Sequence, residues 1–211
     1  MVEQAHFSKL LKALQRLWEE QLLLDITLKT ADDQNVRIHK LILLLFSKHF
    51  QTQFQDTPTE EINVDVNLSD VKSLLYFLYN GDAAKLDMKT LPHLLHKLKL
   101  DLLTDDKQGK ERKGKKVQDR SFLELEERYL RYLTFEVELK MLYNTRSCWD
   151  VTIMVEGKTF RCHKVILSAL SSYFELMFSS GMRESQDVVI VCRGLRAPSS
   201  HQFFVTYTQG E

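Results

Sequence analysis

The chain has little cysteine, and its few cysteines form no pattern. Cys148, Cys162 and Cys192 are the only three in 211 residues, and none stands in a Cys-x-x-Cys pair. An odd number so spaced excludes a disulfide framework and a zinc knuckle. Long hydrophobic runs are missing too. The longest uninterrupted apolar stretch, Leu41 to Phe46, is six residues, whereas a helix crossing a bilayer needs about 20. Net charge is also absent: 29 Lys and Arg balance 29 Asp and Glu, so no global field draws the chain to nucleic acid or to an acidic membrane. There is no Gly-rich phosphate loop, no His-Glu zinc helix and no paired acid–base set, which leaves enzymatic chemistry without a carrier. Cys162 and His163 are neighbours, but neighbours on an extended segment point to opposite faces and do not form a nucleophile–base pair. The amino terminus, "MVEQAHFSKLLKALQRLWEEQ", reads as an amphipathic helix charged throughout, without the apolar core or cleavage site of a signal peptide. The expectation is a non-enzymatic protein of the cytoplasm, with the nucleus as alternative. It has no cofactor, no metal, no small-molecule substrate and no membrane partner.

What the chain does have is a repeat. Residues 159–178 read "TFRCHKVILSALSSYFELMF" and residues 36–54 read "VRIHKLILLLFSKHFQTQF". Aligned on His39 and His163, seven of sixteen positions match through to Phe54 and Phe178. In the later copy "WDVTIMV" (149–155) is β-branched and half-alternating, "EG" (156–157) is a hairpin turn, and "KTFRCH" is the returning strand. The period then changes to helical spacing at Leu167, Leu170, Phe174 and Phe178. Ser172 followed by Glu175 reads as a capping box, so two short helices are expected at 163–170 and 172–178. A third strand follows at 187–195. The earlier copy runs in the same order: strand 24–30, turn 31–35, return 36–39, then a helical face of Leu43, Phe46, Phe50 and Phe54. It continues with a third strand over 61–68, a helix over 70–81 ending at Gly81, and a closing helical pair over 87–103 with Leu91, Leu94, Leu95 and Leu98 on one side. A small sheet against a cluster of helices makes each copy an α+β domain.

These residues resemble the BTB (POZ) domain, in the version found in kelch-like proteins. The carriers are Asp150-Val-Thr-Ile, Phe160-x-Cys-His163-Lys164, Leu167, Ser171-Ser-Tyr-Phe174, Met177-Phe178 and Gly181-Met-Arg-Glu184-Ser185. The earlier copy carries Asp25-Ile-Thr-Leu, His39-Lys40, Ser47, Phe50, Phe54 and "FLYNG" at 77–81. The resemblance implies tandem domains, a divergent one over 6–105 and one of kelch-like type over 121–211. Between them, 106–120 is a basic linker, since "DDKQGKERKGKK" (105–116) is polar and lysine-rich without interleaved aromatics to stack a base. The family is an interaction module that dimerises and docks other proteins. In it the leading helix packs in the dimer interface, which here gives residues 6–20 and 121–144 that role. Pairing of the two domains within one chain is expected, with a homodimer as the alternative.

Two residue sets stand out. Asp25, His39 and Lys40, echoed by Asp150, His163 and Lys164, are read as a charged pocket forming a structural polar network, because a metal site needs three or four ligands and each copy offers two. Met182, Arg183 and Glu184 resemble the short motif by which kelch-like proteins engage a cullin scaffold. The matching positions in the earlier copy are Pro58, Thr59 and Glu60, and proline removes both the apolar anchor and a backbone donor. In the later copy Phe203 to Tyr207 and Gly210 echo residues 76–81 with two extra residues and Pro198, and no closing helical pair follows. The expectation is a C-terminally incomplete domain, from a fragment or truncated isoform, with Val165, Leu170 and Phe174 exposed. The expected function is that of a substrate adaptor of a cullin-3-type RING ubiquitin ligase, partnered by the cullin scaffold and by itself or another BTB protein. The alternative is a BTB scaffold in transcriptional regulation, with the linker lysines directing nuclear residence.

Overall fold

The computed structural model describes residues 2–56, 59–101, 149–180 and 189–192. The expected linker, the expected helix over 121–144 and everything after 192 lie outside the described residues. By packing, the described chain forms two units: residues 25–56 with 59–101, and residues 2–24 with 149–180 and 189–192.

In the first unit β1 (Ile26–Lys29) and β2 (Asn35–Ile38) pair antiparallel, with Ile26 opposite Ile38 and Lys29 opposite Asn35. Alternation sets the register: Ile26, Leu28, Val36 and Ile38 are buried, while Asn35 and Arg37 face out. The loop closes through the Thr30 N–H donating to the Gln34 carbonyl at 2.9 Å, with Asp33 in the left-handed region at φ 55°. Strand β3 (Glu61–Asn63) lies parallel to β1 on its other side. It is shorter than the expected 61–68, though Val64 and Val66 remain buried and still bond across to Lys29 and Ala31.

Helices α2 (Lys40–Phe46), α3 (Lys48–Asp56), α4 (Leu68–Asn80) and α5 (Leu91–Lys97) complete the unit. Residues 41–46 of α2 are all buried, so this helix is enclosed on every side rather than amphipathic. Gly81 ends α4 at φ 80°, its N–H donating to the Phe77 carbonyl at 2.7 Å, a conformation costly for any residue with a Cβ. Of the expected closing pair, α5 buries Leu91, Leu94 and Leu95, with Leu98 behind them. Lys99 turns the chain at φ 52°, and residues 102–103 lie outside the described residues.

The second unit repeats the sheet. Strands β4 (Val151–Val155) and β5 (Lys158–Cys162) pair antiparallel, and β6 (Val189–Cys192) lies parallel to β4. The strand orders, β2-β1-β3 and β5-β4-β6, are the same topology. Here the turn is the two residues Glu156 and Gly157, both at positive φ (48° and 77°), which matches the twist of the flanking strands. Helices α6 (Lys164–Leu170) and α7 (Ser172–Ser179) meet at Ser171, which is extended at φ −147°. Val151, Ile153, Val155, Phe160, Leu167, Phe174, Phe178 and Ile190 make one core.

Helix α1 (Val2–Glu19) belongs to this second unit, not to the copy it precedes in sequence. It packs on α6 and buries Leu10, Leu11, Leu14 and Leu17, one face of the helix. Four such side chains bury about 1.5–3 kcal/mol each, which outweighs sequence proximity. The domain expected over 6–105 thus begins within a helix that packs with the second unit. Val165 and Phe174 are buried, Phe174 within the core against the sheet, and Leu170 is half-exposed, which corrects their expected exposure. The expected capping box is corrected too. The residue before α7 is Ser171, which makes no side-chain cap bond. Glu175 instead accepts from the Arg16 guanidinium at 2.7 and 2.5 Å, since a two-pronged charge-assisted pair outcompetes a single bond to a backbone N–H.

Arg16 holds the Glu175 carboxyl below its ordinary range, so the pair's contribution is whole above the free glutamate value and is lost as pH falls through the depressed one. Glu175→Gln is expected to lower stability at neutral pH by less than about 1 kcal/mol, both partners being partly solvated. In urea titrations the gap from wild type closes below roughly pH 4. Ser168 of α6 buries a hydroxyl that no described residue partners, where the first unit has Leu44. Ser168→Ala is expected to raise the urea midpoint, by about 1 kcal/mol in stability.

Candidate functional site

Both units build the same constellation where the hairpin meets the helices. The last rung of each hairpin is an aspartate: the Asp25 N–H donates to the Ile38 carbonyl at 3.1 Å and the Asp150 N–H to the Cys162 carbonyl at 3.2 Å. This places each carboxylate at the start of the following helix. The Lys40 N–H donates to Asp25 at 2.6 Å and the Lys164 N–H to Asp150 at 2.7 Å. His39 and His163 occupy the residue before the helix and make no side-chain cap bond themselves. The cap therefore comes from an aspartate a hairpin away.

Each lysine head group also lies over an aromatic ring. Lys40 Nζ lies 5.9 Å from the Phe54 ring centre and Lys164 Nζ 5.5 Å from that of Phe178. Those rings stack on Phe50 and Phe174, at 5.5 and 5.9 Å between centres. The aspartate and lysine of each set are thus joined through the lysine backbone, while each ammonium also lies over an aromatic ring. His39 is buried and its Nδ1 lies 2.9 Å from the Tyr79 hydroxyl, which also accepts the His39 N–H at 3.2 Å. Burial pushes the Tyr79 phenol far up, so it keeps a proton to donate while its lone pairs accept. His163 is buried as well.

Crowding by the surrounding core raises the Asp150 carboxyl, although the residue keeps an open edge to solvent; the Lys164 N–H, His163 and the Lys164 ammonium pull it down. Burial pushes the Cys162 thiol up to about 12. It is protonated at neutral pH, and its sulfur faces the Phe160 carbonyl at 3.7 Å. That chemistry is of structure, not of nucleophilic attack. Among the described residues no group of three or more His, Cys, Asp or Glu could hold a metal ion, and no helix is long and apolar enough to cross a membrane.

Met182, Arg183, Glu184 and Pro58 lie outside the described residues. Glu60 is exposed, its carbonyl accepting the Thr27 N–H at 2.8 Å. A feature that sequence reasoning missed sits on α7. Tyr173 and Leu176, three residues apart and so on one helix face, are 63% and 61% exposed. At the matching positions of α3 stand His49 and Thr52, both exposed. The signal was available: once Phe174 and Phe178 take the inward face of "SYFELMFS", with Met177 packed partly against the same core, Tyr173 and Leu176 are left to point outward.

A family profile described as the BTB/POZ domain matches residues 14–110 and again residues 139–209. Among curated proteins, Kelch repeat and BTB domain-containing protein 2 of Homo sapiens is 39% identical over 70 residues, 33% of this chain and 11% of that protein. Kelch repeat and BTB domain-containing protein 12 of Danio rerio is 39% identical over 67 residues, 32% of this chain and 11% of its own length. Kelch-like protein 24 of Homo sapiens is 43% identical over 60 residues, 28% of this chain and 10% of its own length. The chain spans about a tenth of the length of the curated relatives it matches.

The shared cap yields a paired expectation. Asp25→Ala and Asp150→Ala each leave a helix N–H without its acceptor and cost about 0.5–2 kcal/mol, whereas the asparagine variants, which keep an acceptor, cost less. Urea denaturation reads all four. Tryptophan fluorescence isolates the Asp150 pair, because Trp18 and Trp149, the two tryptophans of the chain, both lie in the second unit.

Proposed function

The chain belongs to the BTB/POZ domain family, and we propose that it is a non-enzymatic tandem-BTB adaptor whose later copy docks a cullin-3-type scaffold of a RING ubiquitin ligase. The copies lie within 6–105, apart from α1's packing, and 121–211, joined by the linker over 106–120. The family's work is protein–protein interaction. The finer reading draws on the kelch-like relatives and on the resemblance of Met182, Arg183 and Glu184 to a cullin-docking motif. The Asp–His–Lys sets support this by exclusion, since they are consumed in capping helices and seating lysines on aromatic rings.

The observation that carries the proposal is the asymmetry of the two helices, α7 with exposed Tyr173 and Leu176 and α3 with His49 and Thr52. Large side chains held out on a rigid helix are the anchors that interfaces bury, aromatic ones above all. They occur in the copy whose following segment carries Met182 and Glu184, and not in the copy with Pro58. One docking site per chain follows, centred on α7, with Met182 and Glu184 following it in sequence.

Binding of a purified cullin-3-type amino-terminal domain to the full chain, followed by interferometry, tests this. Tyr173→Ala, Leu176→Ala, Met182→Ala and Glu184→Ala are each expected to weaken binding about tenfold or more, that is by at least ~1.4 kcal/mol. His49→Ala, Thr52→Ala and Glu60→Ala are expected to leave it unchanged. Equal losses on both sides would overturn the asymmetry, and no binding by wild type would overturn the function.

A further inference from the structure

Helix α1 leads into the earlier copy along the chain, yet it is packed with the later one. Charge tells why this choice is specific. Arg16 grips Glu175 with both guanidinium nitrogens, at 2.7 and 2.5 Å. The position matching Glu175 in α3 is Gln51, which has no charge and donates instead to the Leu44 carbonyl of its own unit at 2.8 Å. Counting back equally from Asp25 and Asp150, the residue matching Arg16 ahead of the later copy is Met141. Only α1 carries the cation and only α7 carries its anion at this register, so the pairing of leader with copy is encoded once and in one direction.

The contact also reaches the docking helix. Glu175 lies on α7 between Tyr173 and Leu176, and its backbone carbonyl accepts the Ser179 hydroxyl at 2.6 Å. Leu14 and Leu17, on either side of Arg16, are fully buried. The helix that presents the two exposed anchors is thus held from behind by a segment that begins the chain.

We propose that α1 acts in cis as a clamp, docked by each chain onto its own later copy, and that it positions α7 for the partner that α7 binds. The clamp stands on the geometry above; its effect on docking rests on the function proposed in the preceding section. Being part of the same chain makes the docking of α1 an intramolecular event whose strength does not depend on protein concentration. The later copy is incomplete without α1, whose removal uncovers the α6 face that buries Leu10, Leu11, Leu14 and Leu17.

Charge reversal in the full chain tests cis against trans. Arg16→Glu and Glu175→Arg are each expected to lower the thermal midpoint, read by tryptophan fluorescence, by about 2–4 °C. The double variant Arg16→Glu/Glu175→Arg restores most of it, short of the exposed pair that Arg16 also makes with Glu20. The two single variants, unfolded together and refolded as an equimolar mixture, are expected to stay at the low midpoint, because neither chain can complement itself. Light scattering is expected to give the one-chain mass, 24.8 kDa, at every concentration. Recovery of the mixture to the double variant's midpoint, or a two-chain mass that persists on dilution, overturns the cis clamp in favour of exchange between chains. Absence of loss in both single variants, or of rescue in the double, overturns the clamp itself. In the binding assay Arg16→Glu weakens the cullin-type domain several-fold and the double variant recovers it. If wild type does not bind, the docking consequence falls with the proposed function, while midpoint and mass still judge the clamp.

Discussion

Each copy depends on one bond, from a carboxylate at the first residue of a hairpin to the first N–H of the helix after it. The Asp25 and Asp150 bonds, at 2.6 and 2.7 Å, span 15 and 14 residues of chain. They fix where the hairpin ends and the helix begins. A helix of seven residues such as α2 or α6 is too short to persist alone, so it needs both a cap and burial. The carboxylate provides the first and frees the residue before the helix from capping. That residue is a histidine, which turns inward, and in the first unit it meets Tyr79. The lysine that follows has its N–H occupied, and its head group lies over Phe54 or Phe178. Aspartate, histidine, lysine and the phenylalanine pair are therefore one device, and its repetition explains the repeated sequence.

Much of this was legible because it is local. The two-residue turn at Glu156 and Gly157, the break at the paired serines, the Gly81 stop and the leucine face of α5 all follow from backbone preference or from period. What stayed hidden was non-local. The sequence placed Asp25, His39 and Lys40 together but did not distinguish a bond to the lysine backbone from one to its ammonium, since that depends on where the hairpin delivers the carboxylate. The capping box at Ser172 and Glu175 satisfied its local rule and failed because Arg16, 159 residues away, made the stronger pair. Helix α1 read correctly as an amphipathic helix, but nothing in its period names the surface its apolar face covers.

Comparing the copies position by position separates structure from recognition. The seven shared positions between His39 and Phe54 are the buried histidine, the seated lysine, Ile42, Leu43, the serine at the break and the two stacked phenylalanines. They serve the interior and the junction. Between His39 and Phe54, the positions exposed in both copies differ: Lys48 against Ser172, His49 against Tyr173, Thr52 against Leu176. Gln51 against Glu175 differs as well, and it decides which helix can receive Arg16. The sheet and helix pair described in both units are alike within and unlike outside, so similar interiors carry unequal surfaces. The inequality lies on one helix, because α7 both bonds the leading helix through Glu175 and carries the exposed Tyr173 and Leu176.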